Sequence, residues 1–93
     1  MLFFVHCIDK PDHHAVRQAN RPAHVEFLKA HADKVVIAGP TLTEDGQAMT
    51  GSVFIVDFPD RAAVAAHFAQ DPYSKAGLFE ATIIRPFRKV LPA

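Results

Sequence analysis

Two side chains of this 93-residue chain could together transfer a proton: the imidazole of His24 and the carboxylate of Asp71. An unperturbed imidazole titrates near neutral pH, so His24 could act as a general base or acid. A carboxylate beside the ring could orient it and stabilise its protonated form. The two residues are far apart in sequence, so the hypothesis requires a fold that brings them together.

The segment around Asp71 favours a rigid corner. Pro72 disfavours the α conformation for the residue before it and suits the first turn of a helix. Asp71 could cap that turn with its carboxylate, and Gly77 is suited to end it. The structural alternative is that Asp71 only caps the turn and that His24 only packs at the edge of the core.

Two further residues could contact a ligand. Arg21 precedes His24 by one helical turn, so its guanidinium could hold an anionic group of a substrate, although it could equally lie on the solvated face of the helix. Ser52 lacks the sequence context of a nucleophile elbow, so we expect its hydroxyl to line a pocket rather than to attack a substrate.

The composition excludes several classes of function. Ten Lys and Arg balance ten Asp and Glu, and no basic run occurs, which argues against nucleic acid as a partner. The length predicts one domain over residues 1–93 with a single modest core. The apolar start, residues 1–8, is interrupted by His6 and too short to span a bilayer, so we expect no membrane segment there.

The cysteine count and the spacing of metal-ligating residues also exclude several kinds of site. The single cysteine, Cys7, excludes an intrachain disulfide and fits a reducing cytoplasm, where we expect the protein to reside. No set of His, Cys, Asp and Glu has the spacing of a metal site, and phosphate-binding loops and dinucleotide fingerprints are absent. We therefore predict no metal and no cofactor.

The order of elements predicts a ferredoxin-like βαββαβ fold: a four-stranded antiparallel sheet with two helices on one face. Asp12 and Asp60 are expected to cap the helices, and Gly39-Pro40 to end the second strand. Pro22 could kink the first helix, or a second segment could begin after Asn20. Strands are predicted over 2–9, 34–40, 50–58 and 79–90, and helices over 12–32 and 60–70. The first helix should carry an apolar stripe formed by Ala23, Phe27, Leu28 and Ala30.

The predicted strands are apolar on both faces. In the first strand Phe3 and Val5 share one face, while Leu2 and Phe4 share the other. Two helices can cover only one face of the sheet, and the other would be an exposed apolar patch. A homodimer that packs sheet against sheet is the economical way to cover it.

Five short motifs in order along the chain resemble the YciI-like family of the dimeric α/β-barrel superfamily. The resemblance implies a ferredoxin-like protomer whose sheets pair into a dimeric barrel. It also implies an active-site pair at His24 and Asp71, with Arg21, Ser52 and Tyr73 lining the pocket. The motifs are Asn20-Arg21-Pro22-Ala23-His24, Ala38-Gly39-Pro40, Thr50-Gly51-Ser52, Asp71-Pro72-Tyr73 with Ala76-Gly77, and Arg85-Pro86-Phe87.

The resemblance also suggests a range of activities. One related member is associated with dehydrochlorination of a chlorinated hydroxyquinol, and superfamily relatives include muconolactone isomerases and haem-degrading monooxygenases. We predict a small cofactor-free enzyme in which His24 and Asp71 transfer a proton in the elimination or isomerisation of a small cyclic or aromatic-derived molecule. The alternatives are a non-catalytic small-molecule-binding or accessory dimeric module and, third, a haem-dependent oxygenase with His6 or His24 as iron ligand.

Overall fold

A computed structural model describes every residue from Met1 to Ala93. It has the predicted α+β, ferredoxin-like order of elements, with a short extra helix at the corner before the last strand. The elements are β1 (Leu2–Asp9), α1 (His14–Ala30), a 3₁₀ turn (Ala32–Lys34), β2 (Val35–Leu42), β3 (Met49–Asp57), α2 (Arg61–Ala69), α3 (Pro72–Lys75) and β4 (Phe79–Phe87). None of the helices is long and apolar enough to cross a membrane.

The four strands form one antiparallel sheet in the order β2-β3-β1-β4. Alternate residues of β1 and β3 point to the helix-covered face, because successive side chains of a strand point to opposite sides. That face and α2 form the core, in which Leu28 of α1 also packs. The fully buried core residues are Phe3, Val5, Cys7, Phe54, Val56, Val64 and Phe68.

The opposite face of the sheet carries no helix. Phe4 pairs with Ile55, which pairs with Ile37, so three apolar side chains form a row across β1, β3 and β2 on this face. Ile37 is 62% exposed, and Phe87 at the end of β4 is 42% exposed. The protomer therefore presents the second apolar face that the strand sequences predict.

Helix α1 differs from its prediction at both ends. His13, not Asp12, occupies the N-cap position, and Asp12 adopts a left-handed φ of 58° that an N-cap residue does not use. The helix runs without interruption through Pro22 and ends at Ala30, so no second segment begins after Asn20. The predicted Asp12 cap is wrong.

The buried face of α1 also differs from the predicted stripe. Ala23 and Ala30 are exposed, whereas the two buried residues of the helix are Arg17 and His24. Apolar periodicity assumes that the inward side chains are apolar. Phe27 and Leu28 of the predicted stripe are half-buried, and Leu28 packs on the core, so the stripe was right for these two residues and wrong for the two alanines. The fully inward positions are instead taken by two polar side chains, which apolar periodicity cannot predict.

The ends of two strands differ as well. β2 does not end at Gly39-Pro40, because Pro40 pairs with Ser52 and the ladder continues to Leu42 opposite Met49. β2 is an edge strand, where proline is tolerated because one row of backbone N–H groups has no strand to bond. β4 ends at Phe87, three residues before the predicted end, and Pro86 lies in it, on the other edge.

Asp60 begins the element that leads to the corner. Its carboxylate accepts a hydrogen bond of 2.8 Å from the backbone N–H of Ala63, as expected of an N-cap. Helix α2 then ends at Ala69, two residues before Asp71. The cap therefore helps to fix where α2 starts and where the corner lies.

Replacement of Asp60 by alanine removes this cap and should lower the free energy of unfolding by about 1 kcal/mol. Asp60→Asn keeps an acceptor oxygen and should remain close to wild type. Urea denaturation at one fixed protein concentration measures both. Equal stability of the alanine and asparagine variants would show that the cap is not important.

Candidate functional site

Asp71 caps the corner helix as its sequence predicts. Its carboxylate accepts a hydrogen bond of 3.0 Å from the backbone N–H of Tyr73, and Pro72 occupies the first turn of α3. Gly77 ends the corner with a positive φ of 72°. Asp71 is fully buried. A single backbone donor does not satisfy a buried carboxylate, so a further partner is required.

That partner is His24, 47 residues earlier in the chain. Its Nδ1 lies 2.8 Å from Oδ1 and 3.0 Å from Oδ2 of Asp71. An ionised carboxylate can only accept, so Nδ1 carries the proton and donates it. In the neutral ring this leaves the lone pair on Nε2. Asp71 is therefore both the helix cap and the group that orients the imidazole.

The imidazole of His24 lines a cavity of about 150 Å³ between α1 and the β2–β3 half of the sheet. One part of its wall is polar and formed by Arg17, Arg21, His24 and Ser52. Leu28, Phe54 and Pro40 supply apolar surface, and no Asp or Glu lines the cavity. The cavity thus combines an apolar surface with several hydrogen-bonding groups, a combination typical of small-molecule sites.

Arg17 is a residue of this site that the sequence analysis missed. It is 1% exposed, and its guanidinium donates two hydrogen bonds to Asp9, of 2.7 and 2.9 Å, and one of 3.1 Å to the hydroxyl of Ser52. Burial lowers the pKa of Arg17, but the hydrogen bonds and charge of Asp9 outweigh it and raise the pKa overall. Arg17 is therefore permanently charged and rigidly held.

Arg21 has a different environment. It is half-buried and lines the cavity, and its only hydrogen-bond contact is one of 3.4 Å from Nη1 to the sulfur of Met49. No carboxylate lies within 4 Å of its guanidinium. The sequence left open whether Arg21 holds an anionic group or lies on the solvated face of the helix; in the structure it lines the cavity, with no oxygen acceptor on its guanidinium.

Tyr73 does not line the cavity, contrary to expectation. It is fully buried, and its ring stacks on the imidazole of His24 with centroids 3.9 Å apart and planes at 14°. The guanidinium of Arg17 lies 4.6 Å from the centre of the same ring. Tyr73 therefore supports His24 and Arg17 from within the protein, and its hydroxyl has no hydrogen-bond partner.

The spacing along α1 could have revealed Arg17. It stands four residues before Arg21 and seven before His24, so the three lie on one helical face. Asp9 offered a weaker signal, because an acidic residue at the end of a strand is common. The prediction did not include Arg17 because arginine is rarely buried without a partner that the sequence makes visible.

The other reactive side chains lie outside this site. Burial raises the pKa of the Cys7 thiol to about 12, which makes it the inert, packed thiol that its position in a strand indicates. His6 lies on the open face of the sheet, and His31 and His67 pack with Phe27 between the two long helices. No group of three or more metal-ligating side chains occurs.

Fold and site together define a class: ferredoxin-like α+β proteins with a buried histidine–carboxylate pair beside a small cavity. A model of the YCII-related domain matches residues 1–88, and the chain belongs to that family. Protein YciI of Escherichia coli O6:H1 is 34% identical over 97 aligned residues, which cover 97% of this chain and 99% of that protein.

Two solved structures show the same fold. One is the 5-chloro-2-hydroxyhydroquinone dehydrochlorinase TftG of Burkholderia phenoliruptrix, in complex with 2,5-dihydroxybenzoquinone. It is 36% identical, with a TM-score of 0.88 over 95% of this chain and 94% of that chain. The other is a dimeric ferredoxin-like protein of unknown function from Jannaschia, at 12% identity and a TM-score of 0.50 over 95% and 98% of the two chains. The second likeness supports the fold alone.

The buried pair of Arg17 and Asp9 should contribute far more to stability than an ion pair on the surface. Asp9→Ala leaves a buried guanidinium without its counter-charge and should lower the free energy of unfolding by about 3–5 kcal/mol. Glu26→Ala breaks the exposed pair with Lys29, whose N–O distance is 3.8 Å, and should cost less than about 1 kcal/mol. Urea denaturation compares the two variants, and similar losses would contradict this interpretation.

Proposed function

We propose that this protein is a small enzyme that uses His24, oriented by Asp71, to transfer a proton in an elimination or isomerisation of a one-ring molecule, without a cofactor. The observation that carries the proposal is the contact between Nδ1 of His24 and the buried carboxylate of Asp71, with the imidazole in the wall of a cavity. The dehydrochlorinase among the similar structures supports the choice of reaction.

The proposed step begins with the neutral imidazole. Nε2 takes a proton from a carbon or hydroxyl group of the substrate, and the electron pair left behind forms a new double bond. In an elimination, a leaving group such as chloride departs with its bonding electrons, so the substrate loses HCl overall. In an isomerisation, His24 returns the proton to another atom. Asp71 stabilises the imidazolium formed between these events.

The surroundings of His24 suit a positioned base. Asp71 holds one edge of the ring and Tyr73 packs on its face, so the imidazole has little freedom to rotate. A fixed base needs less reorganisation in the transition state than a mobile one. In the proposal Arg21 and Ser52 bind the substrate, whereas Tyr73 acts by holding His24 in place.

The size of the cavity favours a single ring. An engineered protein cavity of about 150 Å³ binds benzene, and the cavity beside His24 has a similar volume. The ligand in the dehydrochlorinase complex, 2,5-dihydroxybenzoquinone, is also a one-ring compound. We therefore propose substituted six-membered rings, chlorinated hydroquinones among them, as the substrate class.

The test is chloride release from 5-chloro-2-hydroxyhydroquinone. The wild-type protein should release chloride, and His24→Ala should lower the rate by about 10²–10⁴-fold, the usual contribution of a positioned acid or base. Asp71→Asn should also lower the rate, because a neutral amide stabilises the imidazolium less well. His14→Ala, which removes an exposed histidine at the start of α1, is the matched control.

An unchanged rate in His24→Ala would exclude the proposed base. A wild-type protein that binds the compound without releasing chloride would exclude the dehydrochlorinase form of the proposal and favour the binding-module alternative. Circular dichroism of each variant checks that the fold is intact.

We also propose that the protein forms a homodimer through the open face of its sheet. The row formed by Phe4, Ile55 and Ile37 is apolar, and no helix of the protomer covers it. Only the C-terminal residues Leu91 and Pro92 come near it, where they line a pocket together with Ile37 and Ile55. Monomeric proteins rarely leave such a face in water. A two-fold axis would place the same row of the second copy against it.

Sedimentation velocity at micromolar concentration should show a dimer. Ile37→Lys places two charges in the symmetric interface and should weaken dimerisation by at least about tenfold. Ala66→Lys adds the same charge to the exposed surface of α2 and should leave the dimer intact. A wild-type monomer at this concentration would contradict the proposal.

A further inference from the structure

We propose that the cavity selects ligands that are negatively charged on oxygen, and that Arg17 and Arg21 together form the anion-binding part of its wall. This inference deepens the proposed function, because it rests on the cavity beside His24 being the substrate site. It narrows the substrate class from one-ring molecules to one-ring anions such as phenolates, enolates and carboxylates.

The permanently charged side chains in the cavity wall are both positive. Arg17 and Arg21 stand one turn apart on α1, an arrangement of like charges that costs stability. Asp9 compensates Arg17, but no carboxylate compensates Arg21 and none lines the cavity. Asp71 faces the imidazole of His24 and does not line the cavity either, so the permanent charges in the cavity wall are those of the two guanidiniums. In this partly buried position they favour an anion more than they would on an open surface.

The unused hydrogen-bond donors point to an oxygen ligand. Arg17 bonds to Asp9 and Ser52 through Nε and Nη2 only, so Nη1 makes no hydrogen bond. Ser52 accepts from Arg17, and its own O–H has no acceptor. With the guanidinium of Arg21, these groups give the cavity at least three donors and no carboxylate acceptor.

The hydrogen bonds from Arg17 to Asp9 also fix the direction in which the site can donate to a ligand. A buried guanidinium fixed by two hydrogen bonds presents its remaining nitrogen in one orientation. Arg21 is not held in this way, so it can move to meet the ligand. Leu28 and Phe54 supply apolar surface in the same cavity for the ring that carries the charged oxygen.

Isothermal titration calorimetry with two pairs of probes tests this inference. Benzoate and benzamide share one shape and differ in charge, and 2,5-dihydroxybenzoquinone, which is ionised at neutral pH, is compared with neutral hydroquinone. The wild-type protein should bind each anion at least about tenfold more tightly than its neutral partner, as expected for charge-assisted hydrogen bonds. Added salt should reduce this preference.

Variants of the two arginines identify the source of the preference. Arg21→Ala should abolish most of it, and Arg21→Lys should retain part because the positive charge remains. Lys29→Ala, which removes a charge from the exposed side of the same helix, is the matched control and should bind as wild type. Arg17→Lys should fold, as checked by circular dichroism. It should bind the anions more weakly, because the single nitrogen of lysine cannot bond Asp9 and the ligand as the separate nitrogens of arginine do.

Equal binding of benzoate and benzamide, no binding of either anion, or an Arg21→Ala variant that behaves like Lys29→Ala would overturn the inference. His24→Ala separates it from the proposed function. Preserved anion binding with lost chloride release supports both. Preserved anion binding with normal chloride release overturns the acid–base role of His24 and leaves the anion site standing.

Discussion

The structure depends on one constraint, which is that the fully buried carboxylate of Asp71 must have hydrogen-bond donors. An isolated buried charge is too costly for a small domain to retain. The backbone of Tyr73 supplies one donor and His24 supplies the other, so the corner at α3 can form only where α1 passes beside it. The requirement that orients the imidazole therefore also fixes the position of α1 against the corner.

A second buried charge fixes α1 at another point. Arg17 contacts Asp9 at the end of β1 and Ser52 on β3, about two helical turns before His24. Tyr73 contacts both Arg17 and His24, so it joins the two polar groups into one cluster. The inner face of α1 is thus held largely by polar contacts, while α2 supplies the apolar helix surface of the core.

Local chemistry was sufficient to predict much of this fold. The apolar strands, the Asp60 cap and the corner at Asp71 each follow from a few neighbouring residues. The predicted end of β2 at Gly39-Pro40 was wrong, because pairing with β3 outweighs the local tendency of these two residues to end a strand. The meeting of His24 and Asp71 could be posed only as a hypothesis, helped by the family resemblance, since spacing cannot place residues so distant in sequence.

Helix α1 buries Arg17 and His24 where the sequence predicted an apolar stripe, and this difference has a physical meaning. A sequence normally buries apolar side chains, and positions that break this rule tend to be functional. Arg17, His24 and Asp71 break it together, and each is satisfied by the others or by neighbouring polar groups, so their polarity also supports the fold. Arg21 has no carboxylate partner, and its only hydrogen-bond contact is with the sulfur of Met49. A positive charge that the fold does not need, beside a cavity without acids, is most simply explained by a ligand that carries the opposite charge.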